Sequence, residues 1–171
     1  MLKKSTALIL VLLFVATSGS VVAEEMAREG SSTIRAYWTV TMTALPMDKE
    51  LVQMNYEGYG VVVSDSAKSL LHNASAHVVG GMLISKGVYE NESGLATYTR
   101  PDGEKIFATF KGSGQMGKSA KGIGTIVGGT GKFEGITGTM EYNRYQLRPP
   151  AKGAGASIMI GKGTWKLPEK K

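Results

Sequence analysis

The chain has 171 residues, 42% of them hydrophobic and 20% charged, with 20 basic against 14 acidic side chains, 23 glycines and no cysteine. That length suits one domain with a sizeable core, and the lack of cysteine excludes disulfides and thiol catalysis. A formal charge of +6 speaks to association and not to fold.

Residues 1–23 read as a secretory signal peptide. Lys3 and Lys4 form a positive n-region, Ala7 to Val15 is an unbroken apolar run, and Val21-Val22-Ala23 offers small residues for cleavage before Glu24. The apolar run is too short to span a membrane, and no cysteine follows it to carry a lipid. The expectation is an exported protein, periplasmic or extracellular, with a leader of bacterial type and one folded domain over 24–171. Without Lys3 and Lys4 the chain keeps 18 basic against 14 acidic residues. From Glu24 to Phe110 there are 7 basic and 11 acidic residues, whereas Lys111 to Lys171 has 11 and 3. In a closed barrel these halves are neighbouring staves, so the asymmetry need not make one basic face.

Period two runs nearly throughout, and a sustained 3.6 period is absent. Ile34, Ala36, Trp38, Val40 and Met42 alternate with Arg35, Tyr37, Thr39, Thr41 and Thr43, which makes 32–44 the cleanest half-buried strand. Pro46-Met47-Asp48 breaks it. A second strand covers Val52 to Ser64, with a bulge or tight bend expected at Gly58 and Gly60. Ser66 to Ala76 is polar enough for a short helical turn. His77 to Ser85 and Gly87 to Glu90 read together as a third strand kinked at Gly80-Gly81. Leu95 to Arg100 and Lys105 to Lys111 flank Pro101-Asp102-Gly103-Glu104, which predicts an antiparallel hairpin, since proline presets the turn and glycine accepts positive φ. Further strands are expected at Gly122 to Val127, Gly138 to Leu147 and Ala156 to Leu167, the last with Met159, Gly161, Gly163, Trp165 and Leu167 on one face. Between Gly112 and Gly163 lie 14 of the 23 glycines. Small residues alternating with large ones suit the interior of a narrow barrel, and glycine at bends permits closure.

Gly112-Ser113-Gly114-Gln115-Met116-Gly117-Lys118-Ser119 satisfies the phosphate-loop pattern, but that chemistry needs a helix directly afterwards to present its N–H groups. The next residues, Ala120-Lys121-Gly122-Ile123-Gly124-Thr125-Ile126-Val127, have the character of a strand, so the segment reads as a glycine-rich hairpin loop and no nucleotide is expected. His72 and His77 lack a third ligand nearby, so no metal is expected. No nucleophile elbow is present. Glu57 and Glu141 read as surface acids, and Glu134 as a turn carboxylate able to accept backbone N–H bonds. Asn73-Ala74-Ser75 and Asn91-Glu92-Ser93 match glycosylation acceptors, relevant only in a eukaryote.

Gly128-Gly129-Thr130-Gly131-Lys132-Phe133-Glu134-Gly135-Ile136-Thr137-Gly138 is a shaped turn between two β-type segments. It resembles the glycine turn of the allene oxide cyclase barrel and dirigent-like families, with Gly129, Gly131, Phe133 and Gly135 as its structural residues. The resemblance implies an all-β, calycin-like fold, a single eight-stranded antiparallel β-barrel with an apolar cavity, and self-association into a homo-oligomer as one option. Those families' reactive residues lie on other strands, where this sequence offers no residue-by-residue match, so no catalytic residue is carried over. The absence of cysteine also departs from the plant cyclases.

The leading functional expectation is capture of a small apolar or amphipathic molecule without chemistry and without a cofactor, in a barrel lined by Trp38, Tyr98, Phe110, Met159 and Trp165. Nucleic acid is not an expected partner, and the chain is not expected to span a membrane. One alternative is a cyclase- or dirigent-type enzyme steering a reactive lipid or phenolic, which requires a buried acid or base. The other is an envelope interaction module with a basic face, which a fully filled interior would favour.

Overall fold

A computed structural model describes residues 27–66 and 68–169; the leader expected at 1–23 lies outside the described residues. Eight strands follow one another: β1 (Glu29–Pro46), β2 (Leu51–Ser64), β3 (Ala74–Ser85), β4 (Val88–Thr99), β5 (Lys105–Gln115), β6 (Ala120–Gly129), β7 (Thr137–Leu147) and β8 (Ala154–Lys166). Each pairs antiparallel with the next, and β8 returns to β1 from Glu29↔Lys166 to Thr41↔Ala154, closing the barrel. The expected all-β, eight-stranded antiparallel barrel is the observed fold. Closure leaves no strand of the described sheet at an open edge. Among the described residues, the one helical element is a 3-10 turn at Gly131–Phe133.

Side chains alternate inward and outward as the period-two pattern predicts. On β1, Ile34, Ala36 and Trp38 are buried while Arg35, Tyr37 and Thr39 face out. On β8, Met159, Gly161, Trp165 and, just beyond it, Leu167 are buried. Pro101–Glu104 makes the expected turn, closed by Gly103 N–H donating to the Arg100 carbonyl at 2.9 Å, with Gly103 at φ 85.

Four expectations need correction. The single strand expected over His77 to Glu90 is two strands, split at Lys86-Gly87, whose φ values of 51 and 78 make a two-residue hairpin. Lysine at the first position gave that turn no visible signal. Consequently β4 begins at Val88 and not at Leu95. Gly58 and Gly60 mark no bulge, because β1 and β2 stay in unbroken register there. They are glycine for room: a Cβ on Gly60 would lie 2.8 Å from the Trp38 ring, and one on Gly58 would collide with Val40. The described residues 68–74 form successive tight turns, with Ser69, His72 and Ala74 N–H donating to the carbonyls of Ser66, Ser69 and Leu71, and no helix among them. Glu134 is exposed, and no backbone N–H binds its carboxylate. The carboxylate bound at this turn is that of Glu104, which accepts from the Thr130 side-chain hydroxyl at 2.5 Å and from no backbone N–H among the described residues.

Between β2 and β3, Leu70 and Leu71 lie over one end of the barrel, where both are buried. Arg100 donates to the Leu70 carbonyl and sits over the Phe133 ring, 5.1 Å from its centroid. Ile106, Ile136 and Leu167 complete the hydrophobic closure of this end. Gly112–Ser119, which matched the phosphate-loop pattern, is the end of β5 and a turn into β6, with Gly117 at φ 75.

Candidate functional site

The interior is not completely filled. A cavity of about 100 Å³ remains, and Trp38, Tyr98, Phe110, Met159 and Trp165 all line it, together with Tyr56, Tyr142, Met140 and Arg144. It is mostly apolar. On β1, β5 and β8 the alternation aims Trp38, Phe110, Met159 and Trp165 inward. Tyr98 lies opposite Ile106 and Ala76 on the flanking strands. Burial pushes the Tyr98 phenol up to about 12, so it stays a neutral hydrogen-bond donor. Its hydroxyl has no partner among the described residues.

Toward the opposite end from Leu70 the cavity meets a polar floor that the sequence reading missed. Glu92 is 1% exposed. Arg144 binds it in a fork, with Nη1 to Oε1 at 2.7 Å and Nη2 to Oε2 at 2.8 Å. Tyr56 donates to Glu92 Oε1 at 2.6 Å, and Arg144 Nη2 donates to the Tyr89 hydroxyl at 2.9 Å. The Tyr142 hydroxyl has only a long bond, 3.4 Å, to the Lys111 carbonyl. Burial would lower the Arg144 pKa, but the facing Glu92 carboxylate more than offsets this and raises it. Burial, then Glu92, raises the Tyr56 and Tyr142 phenols, and burial raises Tyr89. A buried carboxylate without such partners would be costly, so the fork and the tyrosine are what make Glu92 tolerable inside.

Two local features build this floor. A register shift between Tyr89 and Glu92 on β4 places both side chains inward although they are three residues apart. Such bulges re-aim side chains in this way. Inward glycines then make room: a Cβ on Gly80 would come within 2.7 Å of the Tyr56 hydroxyl, on Gly112 within 2.8 Å of Glu92 Oε2, and on Gly114 within 2.7 Å of the Tyr89 hydroxyl. Part of the glycine richness is thus the mould of a buried polar cluster. The alternation Met140, Tyr142, Arg144 on β7 carried the one available signal, an inward arginine that demands an acid.

His77 and Glu57 meet on the outer wall, Nε2 to Oε1 at 2.7 Å, with Tyr59 stacked on His77 at 4.8 Å between ring centroids. The hydrogen bond from His77 lowers the Glu57 pKa. Glu141 faces out, while His72 keeps a buried Nδ1 without a partner. Among the described residues, no three metal-binding side chains of the His, Cys, Asp or Glu type cluster. No helix among them is long and apolar enough to cross a membrane.

No family model matches the chain, and no curated protein matches it. Among solved structures it is similar to the pterocarpan synthase dirigent protein GePTS1, with 13% sequence identity over 85% of this chain and 90% of that one, at a TM-score of 0.46.

Proposed function

We propose that the protein is an exported barrel, residues 24–171 after removal of a signal peptide at 1–23, that captures a small and mostly apolar molecule without transforming it. The observation that carries this reading is a mostly apolar cavity lined by Tyr98, whose neutral hydroxyl has no partner among the described residues. At about 100 Å³ the space is well below the roughly 300–1,000 Å³ of drug-sized sites and closer to the roughly 150 Å³ that takes benzene. The ligand is therefore about one ring in size. It is neutral, because Arg144 already carries its counter-ion in Glu92, and it bears an acceptor oxygen for Tyr98. The unfilled interior favours capture over the interaction module.

The buried Glu92 favours the enzyme reading as a second choice, since cyclase-type chemistry needs an acid or base within the barrel. Against it, Tyr56 and Arg144 already occupy both carboxylate oxygens, and the raised phenols are poor bases near neutral pH.

Calorimetric titration with benzene and with acetophenone, a neutral ring carrying a carbonyl, tests capture. Wild type is expected to bind both and to return them unchanged. Tyr98→Phe should weaken acetophenone by about tenfold, the worth of one hydrogen bond, and leave benzene unaffected. Uptake of neither compound sinks the reading.

A further inference from the structure

Glycines inside the strands of this barrel have packing or backbone reasons to be glycine, with one exception among the described residues. A Cβ added to Gly60, Gly94, Gly122, Gly138 or Gly163 would fall within 3 Å of a carbonyl oxygen on the neighbouring strand. Gly124 is buried and faces inward on β6, yet the atoms nearest to its absent Cβ are Met140 Cε at 3.8 Å, and the Met140 and Thr109 carbonyl oxygens at 3.9 Å. Those are ordinary van der Waals distances. Its backbone has no positive φ either. Gly128, which is also uncrowded, differs in sitting at φ 158 beside the β5–β6 register shift.

Neither conformation nor crowding therefore requires glycine at 124. A glycine in a strand interior is destabilising relative to alanine, so what the residue retains is the space it leaves. Gly124 lines the cavity, and its cross-strand partners there are Phe110 on β5 and Met140 on β7. The outward-facing Thr109 and Thr139 also border the cavity, so at this level the wall is a single layer of backbone.

We propose that Gly124 holds open a subsite for the flat, apolar ring of the ligand, seated between the Phe110 ring and the Met140 thioether. This rests on the capture reading and deepens it, assigning the residue that sets ligand size. The Phe110 ring leans toward Gly94 and Gly80, and the Met140 thioether lies with its sulfur over Gly161 and its methyl nearest Gly124; an aromatic ring and a polarizable thioether beside the space both favour an aromatic ring. Met140 has the torsional freedom to fit around it. None of the three atoms nearest the absent Cβ of Gly124 belongs to a charged side chain, so the group seated there is apolar, and the acceptor oxygen belongs at Tyr98.

The test compares Gly124→Ala, Gly124→Leu and Gly122→Ala with wild type, by thermal melting and by calorimetric titration with benzene. Gly124→Ala should melt at or above the wild-type temperature and bind benzene several-fold more weakly. Gly124→Leu should abolish binding. Gly122→Ala, whose new methyl would strike the Tyr142 phenol and the Lys111 carbonyl, should melt well below wild type. If Gly124→Ala loses as much melting temperature as Gly122→Ala, or if Gly124→Ala and Gly124→Leu bind benzene as wild type does, the subsite is overturned while capture stands. If wild type takes up no benzene and no acetophenone, capture falls and the subsite with it.

Discussion

Glu92 and Arg144 form the most consequential pair of residues in the barrel, because neither is tolerable in its interior without the other. Removing one partner of a buried ion pair costs about 3–5 kcal/mol, while replacing both with apolar groups of similar volume is often close to neutral. Arg144→Met is therefore expected to lower stability by several kcal/mol, leaving Glu92 with Tyr56 alone. The double variant Glu92→Leu with Arg144→Met should be the milder, although Tyr56 and Tyr89 then lose partners. Urea unfolding of the two single variants and the double variant measures the coupling. Purely additive losses would show that the fork contributes nothing as a pair.

At the scale of elements, the Gly128–Gly138 turn shows how a short motif closes a barrel end. Gly131 and Gly135 stand at φ 51 and 72, conformations that strain residues with a side chain. Glu104 packs where a Cβ on Gly131 would go. Between them the 3-10 turn drives Phe133 into the core at 0% exposure, with Arg100 and Lys132 against the ring at 5.1 and 5.4 Å from its centroid. Phe133→Ala should cost about 3–5 kcal/mol, and Gly131→Val should also destabilise. Lys132→Ala removes an exposed ion pair with Asp102, worth under about 1 kcal/mol. Parallel thermal melts rank the three variants. A Phe133→Ala melt superimposed on wild type would make this turn a binding loop and not a closure.

At the scale of the whole molecule, the interior commits several phenols to stay neutral. Tyr98 has its pKa raised by burial from 10.0 to about 12. A folded-state value above the unfolded one means that the folded chain holds its proton more tightly. The stabilisation is fully present below pH 10 and is lost as the pH rises toward 12, when the unfolded chain ionises first. That loss is about 1.4 kcal/mol per pH unit within the window. Tyr56, Tyr89 and Tyr142 shift in the same direction and steepen it. Denaturant unfolding at pH 9 and pH 11 should show a marked fall for wild type and a smaller one for Tyr98→Phe. Equal falls would remove Tyr98 as a contributor.

The linear chain by itself determined the class of fold, since period-two burial and turn chemistry are local properties: eight alternating segments, the Pro101–Glu104 hairpin and the glycine turn are each readable within about a dozen residues. The same locality placed Trp38, Met159 and Trp165 on inward faces. Tertiary structure alone decided the polar floor. Glu92 turns inward because a bulge shifts its phase by one residue, and a period-two reading assumes no such shift. Its partners come from β2 and β7, 36 and 52 residues away in sequence. The glycines divide in the same manner. As letters they are alike, and only the neighbouring strands reveal that Gly112 makes room for Glu92 and Gly60 for Trp38, whereas no side chain crowds Gly124.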